Sequence, residues 1–306
     1  MKKTHKTNIL VQMWQQRYLY LFILPGLIWF VIFCYIPMAG NILAFKDFTI
    51  EGGLWNSPWV GLKNFKSFIS GYYFPIVMRN TIGISLIKLV FGFPVPIIFA
   101  LLLNEIKSTL YKRTIQTISY LPHFVSWVVA LGVWAKLLSV NGGLVNRIIE
   151  MLGGKAINFL AEPEFIWPFA YFSERWKETG WDAIIYLAAL SSIDTSLYEA
   201  AMIDGASKLQ RIRYISLPGI KDTIVILLIF AAGGIFSSNF DQLYLLGTPP
   251  VIHVAEVIDT YVYRQTLQNM QYGLGTAVGL MRAVINILLI YAVNKLTKKY
   301  AEVGIF

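Results

Sequence analysis

Two carboxylates and an aromatic ring interrupt an otherwise apolar stretch, residues 165–193. Glu178, Trp181 and Asp182 lie within five residues of one another. Carboxylate oxygens accept hydrogen bonds from hydroxyl groups, and an aromatic ring offers a broad apolar face. These groups suit a polyhydroxylated ligand whose hydroxyls bind the carboxylates while its C–H face stacks on the ring, as a sugar does. The alternative interpretation is that residues 173–180 are only the wet outer end of a membrane helix.

A second polar and aromatic group follows the glycine pair Gly233 and Gly234. Paired glycines allow helices to approach closely. The residues after them, 235–244, include Phe236, Asn239 and Tyr244 among serines and an aspartate. This group provides hydrogen-bonding and stacking partners, and its alternative interpretation is plain helix packing below an outer cap.

No set of residues has the spacing that catalysis or nucleotide binding requires. His5, His123 and His253 are far apart and lack metal-ligand spacing. No phosphate-binding loop of the form G-x-x-x-x-G-K-[ST] occurs, and no serine lies in a nucleophile elbow. We therefore expect a chain that is not an enzyme and that carries no cofactor of its own.

Composition places the chain in a lipid bilayer. Of its 306 residues 56% are hydrophobic and 14% are charged, whereas soluble domains carry about 25% charged residues. The single cysteine, Cys34, lies in an apolar run and permits no disulfide within the chain. The sequence predicts an all-α fold that forms one membrane domain over residues 1–306.

Six segments are long and apolar enough to cross a bilayer, which takes about 20 residues. The fourth is expected to break at Gly180, at membrane depth. Two charges, Lys88 and Arg282, lie inside other spans, where pairing with another helix is favoured over contact with cargo. The predicted spans are Tyr18–Ala44, Thr81–Leu103, Ile115–Leu138, Phe165–Ile193, Ile220–Ser238 and Thr276–Val293.

The N-terminal segment, residues 1–17, is predicted to be cytoplasmic, with an interfacial helix over Asn8–Arg17. A disordered basic tail is the alternative. The first span is too long for a cleaved signal peptide and lacks a cleavage site.

Basic residues are distributed as the positive-inside rule requires if both ends are cytoplasmic. The inner segments, 1–17, 104–114, 194–218 and 294–306, hold 13 Lys or Arg, and the much longer outer segments hold nine. The net charge of +9 is therefore a sign of membrane topology, and nucleic acid is not expected as a partner.

The inner segment 194–218 contains the pattern E-A-A, three residues, G, nine residues, I, one residue, L-P. Glu199, Ala200, Ala201, Gly205, Ile215, Leu217 and Pro218 fill its positions. This pattern resembles the EAA loop of the permease subunits of binding-protein-dependent ABC importers. A position that is often aromatic in that family is Ile212 here. The resemblance implies the MetI-like permease fold and a coupling helix, roughly Tyr198 to Gly205, that docks on a separate ATPase subunit; Asp204 and Ala206 complete the loop.

Further stretches resemble the LplB-type branch of the carbohydrate permeases, including residues 35–40, 101–106, 185–190 and 257–264. That likeness covers nearly the whole chain and implies an oligosaccharide cargo delivered by an extracellular lipoprotein. In related maltose permeases the regions that match the fourth and fifth spans hold the sugar. On this basis the candidate substrate-binding residues, in order, are Trp181, Asn239, Phe236, Glu178 and Tyr244.

The resemblance also implies partners in the bacterial cell membrane: a second, homologous permease and two copies of an ATPase subunit, which would carry ATP and magnesium. A permease for a non-sugar solute is the first alternative. A transporter driven by an ion gradient, with Glu178, Asp182, Lys88 or Arg282 as its relay, is the second.

Overall fold

The computed structural model describes residues 14–305, so most of the predicted interfacial helix over Asn8–Arg17 lies outside the described residues. Within that range the regular structure is helical, apart from one isolated bridge between Lys46 and Trp59. The helices are α1 Arg17–Phe45, α2 Gly53–Asn56, α3 Lys63–Ile69, α4 Tyr73–Asn104, α5 Thr109–Phe124, α6 Trp127–Leu137, α7 Leu144–Met151, α8 Pro163–Ser191, α9 Thr195–Ile203, α10 Lys208–Gly219, α11 Lys221–Gly233, α12 Phe240–Leu246, α13 Ile252–Ala255, α14 Ile258–Tyr263 and α15 Tyr272–Ala301.

Three of these helices, α1, α4 and α15, are by themselves long and apolar enough to cross a membrane. Two bent pairs, α5 with α6 and α10 with α11, bring the number of candidate spans in the described range to as many as five. The remaining predicted span is α8, whose 29 residues are long enough. It carries six acidic or basic residues, which is why composition alone does not mark it as a span.

The expected break at Gly180 is wrong, because α8 runs as one helix from Pro163 to Ser191. Gly180 is buried, and a Cβ placed on it would lie closer than 3.0 Å to the backbone of Ser119 in α5. The glycine is therefore needed for close helix packing. The charged residues around it have partners, Glu178 with His123 of α5 and Asp182 with Arg175 of α8 itself, so the backbone need not unwind to reach water.

Two other predicted spans bend sharply. Between α5 and α6 the chain turns by 105°, at Val125 and Ser126, whose extended backbone starts a new helix that the Ser126 hydroxyl caps. Between α10 and α11 it turns by 64° at Ile220, just after Pro218. The predicted span Ile115–Leu138 therefore contains the bend between α5 and α6 and is not one straight helix. The predicted span Ile220–Ser238 begins at the bend between α10 and α11, and α11 already ends at Gly233.

The helix α4 contains one π-helical turn, Lys88–Gly92. Its cause is local: Pro94 and Pro96 have no N–H, so the carbonyls four residues before them lack their usual partners. The Phe93 N–H bonds to the Lys88 carbonyl, 3.0 Å away, which widens the turn. Such turns occur frequently at functional sites.

Several apolar clusters hold the helices together, and two of them bear on the site described below. The first joins α4, α8 and the start of α11 through Ile97, Leu101, Tyr186, Leu190 and Ile220. The second packs α3 and α14 against α15 and includes Phe236. The most apolar window of α1, by contrast, has none of its residues buried within the chain.

Candidate functional site

A cavity of about 310 Å³ lies between α4, α8, α11 and the segment that follows α11. Its apolar wall comes mainly from aliphatic and aromatic side chains of α4, α8 and α11. Its polar lining includes Ser85, Lys88, Glu174, Arg175, Asp182, Ser237, Ser238 and Asn239. A mostly apolar cavity with a few convergent polar groups is typical of small-molecule sites.

Four ionisable side chains of alternating sign form the charged wall of this cavity. Lys88 of α4 forms an ion pair with Glu174 of α8. Arg175 lies next to Glu174, with 3.4 Å between Nη2 and Oε1, and reaches Asp182 with 3.3 Å between Nη1 and Oδ2. Two cations and two anions leave the wall formally neutral. This balance allows the charges to lie at membrane depth, because an unpaired charge there is costly.

Asp182 is the most accessible of the four. Its side chain is 40% exposed, whereas those of Lys88, Glu174 and Arg175 are 14–16% exposed. The series of ion pairs thus ends at Asp182, whose carboxylate retains free acceptor positions on the cavity surface. Such a group can accept hydrogen bonds from a ligand hydroxyl.

The π turn of α4 contributes to the position of Arg175. Since Pro96 supplies no N–H, the Gly92 carbonyl accepts a bond from Arg175 Nη1 at 3.3 Å instead. The neighbouring Phe91 carbonyl accepts from the Tyr171 hydroxyl at 3.2 Å. The irregular turn and α8 are therefore connected by side chains at the level of the cavity.

Gln242 of α12 binds Lys88, which is at the other end of this series of ion pairs. Its Nε2 donates to the Ala170 carbonyl at 2.7 Å and to the Ser173 hydroxyl at 2.8 Å. Its Oε1 accepts from Lys88 Nζ at 3.2 Å. Gln242 is fully buried, so this amide fixes the lysine from a rigid position.

The opposite, uncharged wall is the segment after α11. The Ser238 N–H donates to Asp259 Oδ2 at 2.9 Å, and Asp259 forms an ion pair with Arg282 of α15. Asn286, one turn beyond Arg282, donates to the Ser237 hydroxyl at 3.0 Å. The predicted pairing of both Lys88 and Arg282 with acids of other helices is confirmed. Through Asp259, the Arg282 pair also supports the segment after α11 that lines the cavity.

Of the five candidate substrate-binding residues, the cavity lining includes Asn239, whose side chain also caps α12 by accepting from the Gln242 N–H at 3.3 Å. Phe236 is buried in the second apolar cluster. Tyr244 stacks on Phe240, with 5.3 Å between ring centroids, and meets Tyr263 edge-on. These three candidates from one short segment therefore occupy three different environments.

Trp181 and Glu178 are not among the residues that line the cavity, and both contact His123 of α5 instead. The Trp181 ring stacks in parallel on His123, with 4.2 Å between centroids. Glu178 Oε2 is 2.6 Å from His123 Nδ1, and Lys177 donates to the His123 carbonyl at 2.6 Å. These contacts join α8 to the residues just before the 105° bend. Sequence reasoning left Glu174 and Arg175 out of the candidate set. Their signal was a charge eight or seven residues before Asp182, which places it on the same face of the helix.

The predicted coupling loop folds as two helices around a glycine. Asp194 caps α9 by accepting from the Ser196 N–H at 2.9 Å, and these hydrogen bonds lower the pKa of its carboxyl. Gly205 has φ +77°, a left-handed conformation that favours glycine, and it ends α9. Ser207 and Gln210 then form a capping box that starts α10.

The two arms of the loop are tied together, because the Tyr198 and Ser216 hydroxyls are 2.9 Å apart. Most of the family-pattern side chains remain accessible. Glu199, Ala200, Asp204, Gly205, Leu217 and Pro218 are exposed, and Ala201, Ala206 and Ile215 are half-buried. The apolar residue Ile203 is 87% exposed at the end of α9.

Comparison with known proteins identifies the family of the chain. Residues 92–302 match the family described as the binding-protein-dependent transport system inner membrane component. The polygalacturonan/rhamnogalacturonan transport system permease protein YteP of Bacillus subtilis (strain 168) is 43% identical over 100% of this chain and 95% of that protein. Protein LplB of the same organism is 41% identical over 95% of this chain and 92% of that protein.

A solved structure gives the same result for the fold. A chain of a bacterial ABC transporter involved in the import of the acidic polysaccharide alginate superimposes with a TM-score of 0.88. It is 38% identical and covers 95% of this chain and 99% of that one. With a family model matching two thirds of its length and relatives matching nearly all of it, the chain belongs to the family of binding-protein-dependent transport system inner membrane components.

Proposed function

We propose that this chain is one permease subunit of an ATP-driven importer that carries an oligosaccharide into a bacterial cell. The observation that carries the cargo class is the full-length similarity, at 38–43% identity, to permeases whose names refer to the transport of polysaccharides. The cavity is consistent with that cargo, since Asp182, Asn239 and the serines beside it offer hydroxyl-binding groups against an apolar wall.

The proposed assembly has a second, homologous permease, two copies of an ATPase subunit, and an external binding protein that delivers the sugar. A related alginate transporter has been solved with an alginate pentasaccharide-bound periplasmic protein. The unburied surface of α1 is available for the second permease or for lipid. ATP and magnesium belong to the ATPase subunits, and both chain ends lie in the cytoplasm.

In this proposal the exposed end of α9 sits in a groove of the ATPase subunit. Closure of the two ATPase subunits on ATP moves α9 and α10, and the bent connection at Ile220 passes the motion to α11, whose far end borders the cavity. The cavity then opens to the outside, and hydrolysis resets it. Nucleotide and cargo sites are thus linked by a coupling free energy that acts in both directions.

The test is reconstitution. The chain is expressed with its neighbouring genes, the complex is purified and placed in proteoliposomes, and ATP hydrolysis and uptake are measured with binding protein loaded from a panel of oligosaccharides. We expect one loaded binding protein to stimulate both activities. The double variant Glu199→Ala/Gly205→Asp should insert normally and lose that stimulation. ATP hydrolysis that ignores every sugar, or uptake that continues without ATP, would refute the proposal.

A further inference from the structure

One ion pair connects the coupling loop to the helix that carries the cavity lysine. Arg211 of α10 lies 3.4 Å from Glu105, between Nη2 and Oε2, and the two residues are 106 positions apart in sequence. Their side chains are only 14% and 16% exposed. Pairs that are shielded from water in this way are screened less by salt than surface pairs and hold their geometry better.

The position of Glu105 is unfavourable without that partner. Glu105 follows the last residue of α4, Asn104, and caps its C-terminal end, where the helix macrodipole is negative and disfavours a carboxylate. A cation from another element offsets this repulsion. The pair therefore stabilises the end of α4 only while α10 stays in place.

Arg211 also connects to the bend of the loop. Its Nη1 donates to the carbonyl of Ala206 at 3.4 Å, directly after the left-handed Gly205. One guanidinium thus bonds to the turn between the loop's two helices and to the end of α4. Arginine suits this role because its donors are held in a rigid, planar fork.

From Glu105 the helix leads to the cavity. Its last 11 residues, Pro94–Asn104, pack against α8 and the start of α11 in the first apolar cluster. The π turn Lys88–Gly92 precedes them, and Lys88 faces the cavity. At 1.5 Å per residue, about 24 Å of helix separates Lys88 from Asn104.

We propose that the Glu105–Arg211 pair is a strut that transmits displacement of the coupling loop to α4, and that α4 yields at its π turn so that Lys88 and Glu174 move relative to each other. Arg211 and Glu105 are thus positioning residues for transport, and neither touches cargo or nucleotide. The inference rests on the importer function proposed above.

The experiment uses the complete reconstituted complex and measures ATP-dependent uptake and ATP hydrolysis separately. The variants are Glu105→Gln, Arg211→Gln and the charge swap Glu105→Arg/Arg211→Glu. Lys107→Gln is the matched control, because it removes an exposed charge two residues from Glu105. Co-purification of the ATPase subunit shows whether each variant assembles.

We expect each single variant to lower uptake about tenfold, which corresponds to about 1.4 kcal/mol and lies within the range of interaction energies between contacting residues. Basal ATP hydrolysis, measured without binding protein, should stay within about twofold of wild type. The charge swap should recover part of the uptake, because it restores the ion pair but not the hydrogen bond from residue 211 to the Ala206 carbonyl. Lys107→Gln should match wild type. Single variants that do not assemble would still support the strut if the charge swap assembles and transports. Normal uptake in the single variants, or a charge swap no better than they are, would overturn it. A wild-type complex that takes up no sugar would instead refute the importer function itself.

Discussion

Gly180→Ala provides a direct test of the packing that makes α8 continuous. The new Cβ would lie closer than 3.0 Å to the backbone of Ser119, and a backbone atom cannot move aside as a flexible side chain can. Helices α5 and α8 must separate by several tenths of an ångström or more. Overpacking of this kind costs about 1–3 kcal/mol, while replacing a glycine in a helix interior gains about 1 kcal/mol. The expected net change is a loss of up to about 2 kcal/mol.

Gly132→Ala is the matched control. Gly132 also lies inside a helix, α6, but a Cβ added there would meet no heavy atom within 4 Å beyond its chain neighbours and its own helix backbone. Here the gain in helix propensity acts alone, so the variant should be as stable as wild type or more stable.

The assay is the thermal midpoint of the purified complex in detergent, followed by loss of the monodisperse peak on size exclusion. Gly180→Ala should fall below wild type, and Gly132→Ala should equal or exceed it. A Gly180→Ala complex as stable as the control would refute the close approach of α5 and α8, and would be consistent instead with a glycine that serves as a helix break.

Three further predictions follow from the charged wall and the coupling loop. Lys88→Met should lower the thermal midpoint, because it leaves the half-buried Glu174 carboxylate without its partner, at a cost below the roughly 3–5 kcal/mol of a fully buried pair; the double variant Lys88→Met/Glu174→Gln should recover most of the loss, and no recovery would contradict the pairing. Ile203→Glu should leave insertion unchanged and reduce co-purification of the ATPase subunit, whereas undiminished co-purification would remove Ile203 from the interface. Asp194→Ala should speed hydrogen exchange at the first amides of α9; because hydrogen bonds lower the pKa of Asp194, the wild-type cap should persist above the ordinary aspartate pKa and weaken only as the pH falls through the lowered value. Exchange that does not change with the substitution would contradict the cap.

The features that were predicted best from the sequence are those that depend on residues close together in the chain. Long apolar runs predicted the spanning helices. The spacing of Glu199, Gly205 and Pro218 predicted two short helices around a glycine, whose bend depends on the left-handed conformation of Gly205. The bend between α10 and α11 was not predicted, although it lies just after Pro218. Each of these features is encoded within a few turns of chain.

The cavity was harder to predict because its charges are satisfied over long sequence separations. Lys88 and Glu174 lie on helices that share no local pattern, and Gln242 arrives from a third. Gly180 looked like a break because glycine is a poor helix former, yet its role depends on Ser119 in another helix. Phe236 and Asn239, three residues apart, lie respectively in a core cluster and on the cavity wall, a difference that residue type does not reveal.

The part of α4 from Lys88 to Glu105 shows how the fold can combine rigidity with motion. Between Pro94 and Asn104 the helix packs in an apolar cluster, where close packing resists gradual deformation. At each end it is held by an ion pair, Lys88 with Glu174 and Glu105 with Arg211, and such pairs can exchange partners with less repacking than interlocked side chains require. The π turn begins at the cavity lysine and ends just before Pro94. In the proposed transmission, a displacement applied at Glu105 is therefore passed along the packed part of the helix and is taken up where the backbone hydrogen bonding is already irregular. The part of the helix that is easiest to deform is therefore the part that lines the cavity.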